Sequence, residues 1–194
     1  MMQEKKHNGG DHMTYILVFG VIILAIVLWV ISVQRSLVAF DENINNAMSQ
    51  IGVQLSSRWD ALVSLLDLTK GYAAHEYKTM TDTIKARRSI TRDSSPDDVK
   101  QQENLLVDAL GKIMAVAESY PDLKADQTYI KTMDGVNQYE NMVRTSRLIY
   151  NDSVTKLNRA IRMFPVSMIA GILGFSKRDY LEAVDDKANI PSMV

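Results

Sequence analysis

From Thr14 to Val33 the chain reads TYILVFGVIILAIVLWVISV, twenty residues without a formal charge. In hydrocarbon no water is present to bond the backbone, so such a run crosses only as a helix, and its length matches about 30 Å of bilayer core. A cleaved signal peptide is the competing reading. Its apolar core is shorter, however, and no Ala-x-Ala-like site comes before Arg35. The run is therefore expected to be a retained, single-pass anchor in the cell membrane. Lys5 and Lys6 precede it and only Arg35 follows closely, so the positive-inside rule places the N-terminus in the cytoplasm and the remaining domain outside. Residues 1–13 read as a disordered polar tail. Glu4 and His7 match half of a carboxylate-bridged metal motif, but no second copy stands on a bundle helix.

The rest of the chain has few places to turn, with Gly 9 and Pro 4 in 194 residues, which favours long helices over hairpins. Lys+Arg 22 against Asp+Glu 23 gives no basic excess, so no nucleic-acid partner is expected. Cys 0 excludes disulfides and thiolate metal sites.

Beyond the anchor the apolar positions step by three and four through Leu37, Phe40, Ile44, Ala47, Ile51 and Leu55, then Leu62, Leu65, Tyr72, Met80 and Ile84. No Pro separates this stripe from the anchor, so the spacing predicts one rod reaching about residue 90. Gly52 followed by Ser56 and Ser57 is the one place that invites a break, since Gly tolerates a bend and Ser caps a new helix. A second helix starts at Ser95 (N-cap) and Pro96 (first turn), with Asp97 and Asp98 complementing its dipole, and ends at Pro121. A third begins near Gln127. Its seam of Met133, Val136, Glu140, Val143, Arg147, Tyr150, Val154, Leu157, Ile161 and Phe164 has coiled-coil spacing. The fold expected is all-α: a transmembrane helix (14–33), an antiparallel bundle of three long helices over 34–183, four if the first breaks near Gly52, and a polar tail at 184–194.

Glu140 and Arg147 interrupt the third seam, and charges at core positions need partners. Helices folding back about the two corners should bring Arg87 and Glu103 to the level of Arg147, with Glu140 a heptad away, as a polar layer fixing register. A buried acid/base or cation site is the functional alternative. Because the second helix is too short to cover an unbroken first one, Phe40, Ile44, Ile51 and Leu55 are expected to form an exposed stalk stripe, available to another subunit. After Phe164-Pro165, VSMIAGILGF is too short to span a bilayer; capping the core is its default, with a partner contact or the membrane interface as alternatives. SKRDYLEAVDDKANIPSMV reads as a polar end.

Several segments together resemble the LemA family: QIGVQLSSRWDAL, KGYAAHE, ENLLVDALGKIMAVAESYPDLKAD, RLIYNDSVTKLNRAIRMFP and MIAGILGF. The resemblance implies a bacterial membrane protein with an N-terminal hydrophobic helix, a helical-bundle domain and no well-established enzymatic activity. Members often carry Leu-Ile-Pro-Asn-Leu-Val where this chain has Ala61-Leu62-Val63-Ser64-Leu65-Leu66, so a proline is missing. Asp126 replaces a commonly seen Asn and still permits capping.

No chemistry stands out. His75-Glu76 lacks the second histidine of a zinc helix, since residue 79 is Thr. Phosphate-binding glycine motifs and Cys nucleophiles are lacking, and no Ser is locally coupled to a base. Asn151-Asp-Ser153 fits a glycosylation acceptor but falls inside a helix. No cofactor and no catalytic residue is expected. The reading is a non-enzymatic scaffold, adaptor or membrane organiser acting through self-association or a protein partner, with Pro121 and Leu123 of the second corner as further candidate contacts. A membrane-tethered ligand-binding or sensory domain is the alternative.

Overall fold

The computed structural model describes residues 9–182, and its architecture is all-α. In chain order the helices are α1 (Gly9–Thr69), α2 (Ala74–Lys85), α3 (Pro96–Ser119), α4 (Pro121–Lys124), α5 (Gln127–Ala160) and α6 (Val166–Ile172). The 61 residues of α1 rise about 92 Å without interruption, so membrane span and bundle spine are one helix. Its apolar N-terminal part is laid open, with Tyr15, Phe19, Leu24 and Leu28 all exposed, as a lipid-facing segment requires. The helix already begins at Gly9, so the last residues of the expected tail belong to it. Glu4, His7 and the 184–194 tail lie outside the described residues.

The first helix ends well short of residue 90. At Thr69 the side-chain hydroxyl donates to the Leu66 carbonyl at 2.7 Å, and the Thr69 carbonyl accepts from Tyr72 and Ala73. Lys70-Gly71-Tyr72-Ala73 reverses the chain, and α2 returns along α1. Residues 86–95 then leave helical geometry and continue down beside α1 until α3 turns upward again. The break considered near Gly52 does not occur. Gly52 is needed for another reason: a Cβ there would fall well inside van der Waals contact with the Ile90 carbonyl oxygen, so only glycine lets the returning backbone lie against α1.

The start of α3 is a reciprocal capping box. The Ser95 Oγ accepts from the Asp98 N–H at 3.2 Å, and the Asp98 carboxylate accepts from the Ser95 N–H at 2.8 Å. Hydrogen bonds from Ser95 hold the Asp98 carboxyl below its ordinary range. At the far end of the bundle Tyr72 and Tyr120 meet with ring centroids 5.5 Å apart. Pro121 opens the single turn α4 and is exposed, whereas Leu123 is buried. Asp126 then caps α5 by accepting from Thr128 and Tyr129 N–H at 2.7 and 3.0 Å, and these bonds lower its pKa.

Descending antiparallel to α1, α5 spans about 51 Å with its 34 residues. That length matches the stretch of α1 between Val33 and Leu66, and the two helices form the principal packing of the fold. The stalk stripe is consequently not exposed: Ile44, Ile51 and Leu55 are buried and Phe40 half-buried. The expectation of a bare stalk compared α1 with the second helix; the third is the one long enough to cover it. The C-terminal segment is also more than a polar end. Asn151 and Asn158, seven residues apart on α5, each hold a backbone amide: Asn151 bonds Leu181 N and O at 2.9 Å, and Asn158 bonds Arg178 N and O at 3.0 and 2.9 Å. Buried Tyr150, its pKa raised by that burial, donates to the Asp179 carbonyl at 3.1 Å.

Candidate functional site

Two ion pairs cross the bundle, one of them mostly buried. Arg147 on α5 donates to both carboxylate oxygens of Glu103 on α3 at 3.0 and 2.9 Å, with the two side chains only 15% and 6% exposed. One heptad up α5, Glu140 accepts from Arg58 of α1 at 3.0 Å and from Arg144 at 3.4 Å. Arg58 is absent from the sequence-derived layer. The signal for it is the gap between Leu55 and Leu62 in the stripe, which Arg58 and Trp59 fill. Arg87 belongs elsewhere, for the turn at Thr69 carries it back to α1, where it bonds Asp60 and Ser56 Oγ, both at 2.6 Å. Three of the four predicted residues thus fall in two separate pairs, Arg147 with Glu103 and Glu140 with the unforeseen Arg58, and Arg87 joins neither.

Where the segment after α2 passes α1, a cleft of about 390 Å³ opens, lined by Gly52, Ser56, Trp59, Arg87, Arg88 and Arg92 among others. Trp59 is buried, and its indole N–H has no hydrogen-bond partner among the described residues. No group of three or more His, Asp or Glu among those residues is placed to hold a metal ion. The side chains of His75 and Glu76 lie outside the description. The lining presents guanidinium and hydroxyl groups as hydrogen-bond donors.

A sequence profile of the LemA family matches residues 47–194, which takes in the bundle from the middle of α1 onward. The chain is 25% identical over 167 residues to protein LemA of Metamycoplasma hominis, covering 83% of this chain and 74% of that protein. It is 34% identical over 74 residues to magnetosome protein MamQ 1 of Paramagnetospirillum magneticum, and 33% identical over 72 residues to MamQ of Magnetospirillum gryphiswaldense. Those stretches cover 38% and 37% of this chain and only 27% and 26% of the relatives, about a quarter of their length. An apolar helix of membrane-spanning length running into a helical bundle, together with a profile match over most of the chain, establishes that this single-pass membrane protein belongs to the LemA family.

Proposed function

We propose that the protein is a non-enzymatic membrane scaffold, holding its bundle at a set height and orientation for a second copy or a protein partner. The observation that carries this is α1 itself. With no linker between span and spine, whatever docks on the bundle is held relative to the bilayer. Likeness to bacterial magnetosome proteins and to LemA is consistent with a role at a membrane. The lysines before the span favour a cytoplasmic N-terminus with the bundle on the other side.

Self-association cannot use Ile44 and Ile51, which face α5. Prominent among the exposed apolar residues midway along the bundle are Leu148, at 68% exposure, and Ile149 on the outer face of α5. Light scattering of the full chain in detergent, with cross-linking capture from membranes, is expected to give an oligomer or a stoichiometric partner that Leu148→Asp weakens. A monodisperse monomer with no cross-linked partner contradicts the proposal.

The cleft beside Trp59 supports a second reading, a membrane-tethered domain that binds a small anionic ligand. A ligand that binds the folded state raises its melting temperature, so thermal-shift screening of the full chain separates this reading from the first.

A further inference from the structure

The geometry points to a second membrane contact: we propose that residues 163–173 insert into the headgroup and acyl-chain boundary of the same leaflet from which α1 emerges. The register between α1 and α5 locates this segment. Arg58 pairs with Glu140, and Asp41 accepts from Arg178 at 2.8 Å, whose backbone is held by Asn158. Each step down α5 is therefore one step toward the membrane on α1. Ala160 lies level with Val38, and the following turn level with Gln34, one residue from the end of the span. Contact between α6 and α1, and the burial of Val33 and Leu37, agree with that placement.

This short element is apolar on both sides. Ala170 is buried and Val166 and Ile169 are half-buried against the core, and they account for its inner face. On the other side Phe164 is 80%, Met168 64% and Ile172 84% exposed, at spacings of four. Met163 and Leu173 widen the patch. None of the described residues covers these side chains, and single apolar residues scattered on a surface do not cluster in this way.

Lipid is the occupant the surroundings select. The patch adjoins the open apolar surface of α1, whose only solvent is the bilayer. Between Ser153 and Arg178 the chain carries no Asp or Glu; of its five cations Lys156 pairs with Asp152 and Arg178 with Asp41, whereas Arg159, Arg162 and Lys177 form no ion pair among the described residues. Arg159, Arg162 and Lys177 are exposed around the patch, and Arg35 is exposed on α1 at the same level. An apolar face rimmed by cations is the pattern of an interfacial element on anionic lipid.

The chain has Cys 0, so single cysteines at Phe164, Met168 and Ile172 can be labelled with an environment-sensitive fluorophore without background. Leu148→Cys is the control: it is equally open but level with Gln50, about 25 Å farther along α1. The full-length variants are reconstituted into phosphatidylcholine vesicles containing phosphatidylglycerol, with doxyl-labelled lipid as quencher. Quenching several-fold stronger at 164, 168 and 172 than at 148, together with blue-shifted emission, is expected. Labels no more quenched by lipid than the control, and open to aqueous iodide, would overturn the proposal. Labels shielded from iodide yet unquenched by lipid, with the shielding lost as protein is diluted in lipid, would assign the patch to a second copy and overturn it equally.

Discussion

Gly52→Val is expected to destabilise the bundle by about 3 kcal/mol, at the upper end of overpacking costs, because the contact it violates is backbone on backbone. The Ile90 carbonyl cannot rotate away as a side chain could, so either α1 bends or the segment after α2 lifts off. For a chain of this size the corresponding fall in melting temperature is about 6–12 °C. Hydrogen exchange should quicken across residues 87–92 before it does in α3. A paired control separates crowding from helix propensity. At Gly111 on α3 an added Cβ meets nothing within 4 Å, so Gly111→Ala should stabilise by up to about 1 kcal/mol. Equal effects at the two glycines would show that the close approach of Ile90 to α1 is not a feature of the fold.

The second large effect belongs to Glu103 and Arg147. Transferring two charges into the bundle costs desolvation energy, which the two bonds from Arg147 Nη1 to the Glu103 carboxylate offset; removing one member loses that offset. Glu103→Leu strands the mostly buried Arg147 guanidinium and is expected to cost about 3–5 kcal/mol. Arg147→Met removes the two bonds that Glu103 accepts from Arg147 Nη1 and should also destabilise the bundle. The double variant should cost less than the sum of the two single ones, since the contact between the pair is lost only once. Chemical denaturation of all four proteins measures the coupling, and simple additivity would contradict a direct pair.

Features resting on local physics were legible in the residues. The span needs only length and lack of charge, and the starts of α3 and α5 need only Ser95-Pro96 and Asp126, whose side chains satisfy backbone N–H groups within three residues. The reversal after Thr69 was not. Lys70-Gly71 sits inside an apolar stripe that continues in phase to Ile84, and what stops the helix there is α2 packing back on α1 and α3. Misplacing that turn shifts everything that depends on it: Arg87 moves from the Glu103 layer to Asp60, and Gly52 changes from a hinge to a crossing point. The covered stalk follows from a tertiary length match between α1 and α5. The anchoring of the C-terminal segment depends on Asn151 and Asn158, polar residues whose spacing of seven signals nothing until an extended backbone lies beside them.

One helix carries the bundle out of the membrane without a joint. Arg35 and Val53 are both exposed on α1 and lie eighteen residues apart, which is five full turns, so spin labels at these positions project from the same face. In vesicles, double electron–electron resonance between Arg35→Cys and Val53→Cys labels should give one narrow distribution centred at about 27 Å. A broad distribution, or a major population at shorter distance, would place a hinge between span and bundle and contradict the account.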